Sequence, residues 1–239
     1  MEKDFEKKHH FFEENYWWFR ARRDMILDLI EKRPKNSEIL DLGCATGATM
    51  EFLQKNGFTN VAGIDNSPEA IEICKNKGLN AILADASEFN SKQNGFDVII
   101  MADVLEHIKD DEGVLRGCKN LLKAGGIIIV TVPAFAWLWG KNDEENLHYK
   151  RYTRLGLSDL LKKIGLNPIK ISYWNFILFL PIAMMIFLSN ISKSNPRFFS
   201  NSFLNNFLTG LMKIENRFFR MFNLPVGISV IAVATKDNL

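Results

Sequence analysis

The sequence predicts an α/β protein, with a seven-stranded and mostly parallel sheet that helices cover on both faces. Short apolar runs alternate with helical stretches from residue 38 to residue 132, and strands joined by helices of this length form parallel pairs. The run Ile127-Ile128-Ile129-Val130 is continuously apolar, as is typical of a central strand buried on both faces. Turn and capping residues at the ends of these stretches agree with the same interpretation.

Each element has its own signal in the sequence. Ser67 stands before Pro68, which puts an N-cap side chain ahead of a proline suited to the first helical turn. Gly57, Gly78 and Gly165 each follow a helical run, at the position of a left-handed C-terminal cap. The alternation of strands and helices is interrupted in residues 134–152, which predict a long connection. Strands are expected at 38–42, 60–64, 80–83, 96–101, 126–132, 169–173 and 228–235, and helices at 4–33, 46–56, 68–77, 110–122 and 153–164.

Three regions follow from this pattern. Residues 1–36 predict an N-terminal helical lid, in which Phe11, Phe12, Trp17 and Trp18 supply part of a broken apolar spacing. Residues 37–175 and 224–239 carry the alternation of strands and helices and predict the core. Residues 176–223 predict a helical insertion before the last strand.

Composition restricts the class of protein. The chain has 239 residues, 47% hydrophobic and 24% charged, which is the average of globular domains. A net charge of +2 argues against a nucleic-acid-binding protein. The three cysteines form no even framework, which favours a reducing environment. Because the charged N-terminus lacks an apolar run with a cleavage site, we expect no secretory signal and a cytoplasmic protein.

Acidic residues end three successive predicted strands: Asp41, Asp65 and Asp85. The carboxyl ends of strands form the ligand crevice of open α/β sheets, so these residues are expected in one cleft. After Asp41, a loop of small residues at 43–47 (Gly-Cys-Ala-Thr-Gly) lets backbone N–H groups approach a ligand. Asp41 suits the amino group of an amino-acid-like ligand, Asp65 suits both hydroxyls of a ribose, and Asp85 suits an adenine amino group.

This segment resembles the class I S-adenosylmethionine-dependent methyltransferases. Residues 41–47 match the motif D-x-G-x-G-x-G with Ala45 in place of the middle glycine, and residues 122–126 are similar to the family's L-K-P-G-G turn. The likeness covers residues 36–172 and the last strand, and it implies a Rossmann-like fold with S-adenosylmethionine as the cofactor. Residues 16–23 and 148–152 resemble a bacterial and archaeal subgroup of unassigned substrate, whereas residues 105–107 resemble the quinone-biosynthesis O-methyltransferases.

The resemblance also implies a set of cofactor-binding residues. In such relatives an arginine upstream of the first strand and the residue that ends the fourth strand touch the cofactor, and Arg23 and Ala102 match them. The expected cofactor-binding residues are Arg23, Asp41, Gly43, Cys44, Ala45, Thr46, Gly47, Asp65, Asn66, Asp85, Ala86 and Ala102.

Three alternatives to a methyltransferase remain for the same segment. A dinucleotide-dependent oxidoreductase would also use Asp65, but its G-x-G-x-x-G motif requires glycine where Ala45 and Ala48 stand. A regulatory protein that binds the cofactor without catalysis would keep the same residues. A glycine-rich turn can also simply close a strand–helix corner, although the spacing of Asp65 and Asp85 favours a ligand.

Two histidines are the candidate catalytic residues, because a hydroxyl or carboxyl acceptor benefits from a base of near-neutral pKa. His107 follows the fourth predicted strand, beside the expected position of the methyl group. Asp103, Glu106 and His107 have the spacing i, i+3, i+4, so a helical turn would place them on one face. That face fits a base with its orienting carboxylate, a weak divalent-metal site or a capped turn, and we expect no metal.

His148 is the second candidate, in the long connection after the fifth strand. Lys150, Arg151 and Arg154 stand near it in the sequence, and this basic cluster could hold a carboxylate or a phosphate of the acceptor. An exposed loop with solvated charges has the same composition.

The predicted insertion raises the question of a membrane. Residues 176–188 are 13 apolar residues interrupted by Pro181, and a helix of this length spans about 20 Å, less than the roughly 30 Å of a hydrocarbon core. Apolar residues recur at helical spacing over 203–222, and residues 189–222 have a local charge of +4. An aromatic, cationic and amphipathic helix beside a short apolar hairpin suits the inner face of the cell membrane and a lipid-linked acceptor, such as a quinone or polyprenyl-linked precursor. A helical cap on the sheet or a dimer surface is the alternative, and the oligomeric state is left open.

Overall fold

A computed structural model describes residues 13, 15–86, 95–192 and 201–237. The first part of the helix expected at 4–33, with Phe11 and Phe12, lies outside the described residues. Its remainder is helix α1, Trp17–Ile30.

The sheet has seven strands: β1 Glu38–Leu42, β2 Asn60–Asp65, β3 Asn80–Leu83, β4 Phe96–Ala102, β5 Leu122–Pro133, β6 Asn167–Trp174 and β7 Ser229–Thr235. Their order is β3-β2-β1-β4-β5-β7-β6. Strands β1 to β5 pair in parallel, and β7 is antiparallel to both of its neighbours. The predicted Rossmann-like α/β fold is confirmed.

The helices after α1 are α2 Ala48–Lys55, α3 Pro68–Asn76, α4 Asp111–Leu121, α5 Lys141–Glu145, α6 Arg154–Lys163, α7 Phe179–Ser192 and α8 Ser202–Met221. Two buried clusters of apolar residues cover the two faces of the sheet. The N-cap expected at Ser67 is confirmed, since its hydroxyl accepts a hydrogen bond from the Ala70 N–H at 3.2 Å. The connection at 134–152 contains α5 and a short 3-10 turn, Ala136–Leu138, which the sequence did not indicate.

The chain reverses its direction of travel across the sheet between β1 and β4. It runs outward from β1 to β3 and then returns to place β4 on the other side of β1. Open α/β sheets bind ligands at such a switch point, outside the carboxyl ends of the strands. The residues that end β1, β2 and β4 therefore share one edge of the sheet.

The insertion folds as two helices, so the short apolar hairpin expected at 176–188 is wrong. Pro181 lies in the first turn of α7, where a proline removes no intrahelical hydrogen bond. In the described part of the chain, no helix combines the length and the apolar character needed to cross a membrane.

Helix α8 turns polar residues toward the protein. The Asn216 side chain accepts a hydrogen bond from the Trp174 Nε1–H at 2.8 Å and donates one to the Ala21 carbonyl at 3.0 Å. The Glu215 carboxylate accepts hydrogen bonds from three successive backbone N–H groups, those of Asn175, Phe176 and Ile177. These contacts fix α8 against α1 and the end of β6.

Candidate active site

The loop after β1 depends on a left-handed backbone. Gly43 and Gly47 have φ angles of +79° and +78°, and Ala45 between them has φ of +44°. A Cβ atom at Gly43 would lie 2.4 Å from Val104 Cγ2, so the turn after β4 packs directly on the loop. Glycine at these two positions is required both by backbone conformation and by close packing.

The N–H groups of this loop have acceptors within the protein. The N–H groups of Gly43 and Cys44 both donate to the Ile64 carbonyl at 2.9 Å. The Ala45 N–H donates to Asp65 Oδ2 at 2.8 Å. The sequence predicts that the loop offers these donors to a ligand. In the structure they bind β2 instead, and they thereby position Asp65.

Negative charge converges beside the loop. Asp41 is buried at the end of β1. Burial, together with the nearby carboxylates of Glu13 and Asp65, raises the pKa of Asp41 to about 7, whereas Arg22 acts in the opposite direction. S-adenosylmethionine carries an ammonium and a sulfonium charge, and a cation at this point would offset the repulsion among the carboxylates. The residues present therefore fit the cofactor.

Asp65 and the two exposed residues beyond it lie along the same edge. Asp65 accepts backbone hydrogen bonds at both carboxylate oxygens, from Ala45 and, at 2.9 Å, from Ser67. Each oxygen keeps a further lone pair for a ribose hydroxyl. Asn66 and Asp85 are exposed at the ends of β2 and β3, as an adenosine site at this edge requires.

Two arginines of α1 face this region. Arg23 is buried, donates to the Glu13 carbonyl at 2.6 Å, and has its pKa lowered mainly by burial. Glu13 in turn accepts a hydrogen bond from the Thr46 hydroxyl at 2.9 Å. The structure thus places Arg23 and Thr46 on opposite sides of Glu13, and a direct contact of Arg23 with the cofactor stays a prediction.

Asp103 does not act as the orienting carboxylate of His107. It has φ of +59° and lies outside any helix, so the expected helical face of Asp103, Glu106 and His107 is wrong. Its carboxylate forms an ion pair with Arg22 and accepts a hydrogen bond from the Thr131 hydroxyl at 2.8 Å. Asp103 therefore joins α1 to the ends of β4 and β5.

Both candidate histidines meet in one cluster. His107 lies in a 3-10 turn, Leu105–His107, directly after β4, and His148 lies in the connection after β5. Their ring centroids are 4.6 Å apart and the rings are nearly perpendicular. Glu106 is buried beside them, and burial raises its pKa well above the usual range.

The orienting carboxylate is Asp143, which the sequence analysis missed. Asp143 is fully buried, and its Oδ1 lies 2.9 Å from His148 Nδ1. Arg151 donates to both of its oxygens, at 2.8 and 2.9 Å, and the Gly140 N–H donates at 2.8 Å. Although burial acts to raise it, hydrogen bonds from His148 and Arg151 hold the pKa of Asp143 at about 2.

Two cations of the basic cluster expected around His148 have partners within the protein. Arg151 is bound to Asp143, and Lys150 forms an ion pair with Asp111 at 2.6 Å. The third, Arg154, lies over the Tyr173 ring, and an anion-binding role of this segment stays a prediction.

Comparison with known proteins identifies the family. Residues 15–171 match the family model of the methyltransferase domain. The chain belongs to this family. It is an S-adenosylmethionine-dependent methyltransferase.

Curated relatives are about 30% identical to this methyltransferase over the part of the chain that they match. The ubiquinone biosynthesis O-methyltransferase of Xylella fastidiosa (strain 9a5c) is 30% identical over 132 residues, which are 48% of this chain and 53% of that protein. The protein of the same name from Coxiella burnetii (strain Dugway 5J108-111) is 32% identical over 98 residues, 38% and 42% of the two chains. The chain thus spans about half the length of the curated relatives it matches.

Solved structures share the fold over most of the methyltransferase. A SAM-dependent methyltransferase from Archaeoglobus fulgidus covers 95% of this chain and 99% of its own, with a TM-score of 0.59 at 18% identity. Phosphoethanolamine N-methyltransferase 2 of Haemonchus contortus, in complex with S-adenosylmethionine, covers 90% of this chain and 52% of its own, with a TM-score of 0.60 at 18% identity. At this identity the likeness concerns the fold alone.

Proposed function

We propose that this methyltransferase transfers the methyl group to an oxygen of a small-molecule or lipid-linked acceptor, which it takes up at a membrane surface. The observation that carries the proposal is the apolar surface of α8, on which Phe203, Phe207, Phe218 and Met221 are exposed. Relatives named ubiquinone biosynthesis O-methyltransferase support transfer to oxygen.

Helix α8 has large apolar side chains on its exposed side. Phe203, Phe207, Phe218 and Met221 are 79%, 60%, 55% and 73% exposed, and they recur at helical spacing on one side. The buried side contains Met212 and Phe219 as well as Thr209, Glu215 and Asn216. The exposed apolar side chains form a second apolar surface, which suits the membrane interface.

Helix α7 extends the apolar surface and forms a groove. Its side chains at Leu180, Met184, Phe187, Leu188 and Ile191 are also exposed. A groove of about 620 Å³ is lined by Trp137, Leu180, Pro181, Ala183, Met184 and Phe187. This volume and its apolar lining suit an acyl or prenyl chain.

The groove is connected to the histidine cluster through the chain after β5. The Asn190 side chain of α7 donates to the Trp139 carbonyl at 2.8 Å. The next residue, Gly140, donates its N–H to Asp143, which orients His148. In this proposal, an acceptor whose apolar chain occupies the groove extends its polar head toward His107 and His148.

The histidines account for transfer to oxygen. S-adenosylmethionine supplies an electrophilic methyl group, and a hydroxyl acceptor must lose its proton as it attacks. His148 is oriented for this task by Asp143, and His107 lies against it. Arg22 and Arg23 hold α1 beside the cleft through Asp103 and Glu13.

The test combines membrane binding with turnover. The triple variant Phe203→Ser/Phe207→Ser/Phe218→Ser is expected to lose binding to anionic liposomes, whereas Leu155→Ser, at a residue 72% exposed on α6, retains it. With a hydroxylated aromatic acceptor, addition of a prenyl chain is expected to lower KM in the unaltered protein and to have little effect in the triple variant.

Three outcomes would count against the proposal. If the triple variant bound liposomes as well as the unaltered protein, the proposed membrane role would be wrong. A prenyl chain without effect on KM would remove the lipid-linked acceptor. Binding of S-adenosylmethionine without turnover of any hydroxyl acceptor would favour a protein that binds the cofactor but has lost catalysis.

A further inference from the structure

Three side chains able to bind a metal ion converge at the acceptor side of the cleft. One ligand atom from each of Glu106, His107 and His148 lies within 4.8 Å of the other two. Glu106 and His107 come from the turn after β4, and His148 from the connection after β5. Because β4 and β5 are adjacent strands, the cluster lies at the carboxyl edge of the sheet, next to β1, whose last residues include Asp41.

Glu106 is the first observation that points to a cation. The residue is 1% exposed, and its Oε2 accepts no hydrogen bond from any residue that the structure describes. A buried carboxylate oxygen without a donor is costly to maintain, so such an atom is normally paired or bound to a metal. The Tyr149 N–H donates to the Glu106 carbonyl at 2.7 Å and thereby fixes Glu106 beside His148.

His148 is the second observation, because its ring is held as in a metal site. The contact of 2.9 Å joins its Nδ1 to Asp143, and an ionised carboxylate only accepts, so Nδ1 donates and Nε2 is the nitrogen available to a metal ion. Histidine ligands of metals typically donate their other ring N–H to a carboxylate in this way. Arg151 binds both oxygens of Asp143 and so fixes the carboxylate in this role.

We propose that Glu106, His107 and His148 bind one divalent transition-metal ion, with Zn²⁺ as the model ligand, and leave a coordination position open to the acceptor. Two histidines and one carboxylate form the ligand set of catalytic zinc sites that keep an open position. Ligands of a tetrahedral ion at about 2.1 Å are about 3.4 Å apart, so atoms that lie within 4.8 Å of one another close on the ion by at most about 1.4 Å. The inference reverses the expectation from sequence that this cluster holds no metal.

The metal site extends the proposed function, and the catalytic role of the ion rests on that function. A hydroxyl that coordinates a divalent ion loses its proton more readily. The acceptor O–H bond breaks with release of the proton to solvent, and a new O–C bond forms as the S–C bond of the cofactor breaks, which leaves S-adenosylhomocysteine. In this reaction both imidazoles act as ligands rather than as bases.

The ion alone is the probe in the test. His9→Ala and His10→Ala are introduced first, because two adjacent histidines bind transition metals by themselves. Titration of this chain with Co²⁺ is expected to give the visible absorption of a four- or five-coordinate ion and to saturate at one equivalent. Glu106→Gln and His148→Ala are each expected to weaken Co²⁺ and Zn²⁺ binding at least about tenfold. Glu144→Gln, at an exposed residue next to Asp143, is expected to leave it unchanged.

Binding of S-adenosylhomocysteine by each variant shows that the cleft is folded. Absence of Co²⁺ binding in the chain without His9 and His10 would overturn the site, and so would binding that survives both ligand substitutions. Binding of one equivalent of Co²⁺ that each of the two substitutions abolishes supports the metal site. It does so even if no hydroxyl acceptor is methylated, because that failure would contradict the proposed function alone. Methylation that persists after complete metal removal would keep the proposed function and overturn the catalytic role of the ion.

Discussion

The two halves of the cleft are built in different ways. The cofactor half is contiguous in sequence: β1 ends near Asp41, the loop follows at once, and Asp65 ends the next strand in register with Leu83 of β3. The proposed acceptor half is assembled from Glu106, His107, Asp143 and His148, which lie on two separate connections. A fixed loop suits a cofactor that every member of a family shares, whereas side chains on long connections can be exchanged to suit a different acceptor.

The largest effect is expected where the acceptor half is buried. Asp143→Ala leaves the Arg151 side chain, which is 7% exposed, without its carboxylate. Removal of one partner from a buried ion pair costs about 3–5 kcal/mol, so we expect a loss of this size in the free energy of unfolding, measured by urea denaturation. Glu144→Gln is the matched control and is expected to change it by less than about 0.5 kcal/mol. A loss in Asp143→Ala no larger than in the control would mean that this half is not held together by the Asp143 contacts.

The next effect tests the cofactor half. Asp65→Ala removes the acceptor of the Ala45 and Ser67 N–H groups as well as the expected partner of the ribose. We expect S-adenosylhomocysteine to bind about 100-fold more weakly, which corresponds to about 2.7 kcal/mol. Calorimetry measures the change, with Glu69→Ala on the exposed side of α3 as the control. Equal affinity in the two variants would show that the cofactor does not use the end of β2.

A smaller effect follows from the protonation of Asp41. Its pKa is raised to about 7 in the folded protein, above the value of about 3.9 for an unfolded chain. This group therefore stabilises the protein most at low pH, and that contribution is lost as the pH rises toward 7. Because the cofactor ammonium prefers the ionised carboxylate, affinity for S-adenosylhomocysteine is expected to rise by up to about tenfold per pH unit between pH 5 and 7.

The proton itself can be counted in this measurement. Calorimetry in two buffers of different ionisation enthalpy is expected to show release of about one proton per cofactor bound at pH 6, and Asp41→Asn is expected to abolish it. Binding that is independent of pH in the unaltered protein would mean that Asp41 is already ionised before the cofactor arrives.

The contrast between the halves also explains what the sequence could predict. Asp41 and Asp65 follow apolar runs whose burial is plain from the pattern, so both the fold and the carboxylates of the cofactor cleft were predictable. Asp143 stands among Lys141, Asn142 and Glu144, a composition typical of a solvated turn, and only the folded chain shows that it is buried. The spacing of apolar residues correctly predicted the helix α8. Which side of α8 faces outward depends on the hydrogen bonds of Glu215 and Asn216 to the end of β6 and to α1, and the sequence does not show these.

The smallest effect concerns the one departure from the glycine motif. Ala45 has φ of +44°, a conformation that costs an L-residue about 1–2 kcal/mol. Ala45→Gly removes this cost but adds about 0.5–1 kcal/mol of chain entropy in the unfolded state, so the net expectation is a stabilisation of about 0.5 kcal/mol by urea denaturation. Ala48→Gly at the start of α2 is the opposite control, because an ordinary helical residue gains nothing from glycine and loses up to about 1 kcal/mol. An equal loss in the free energy of unfolding in both variants would mean that the backbone is not strained at Ala45. The alanine would then have to be explained by a contact with the cofactor.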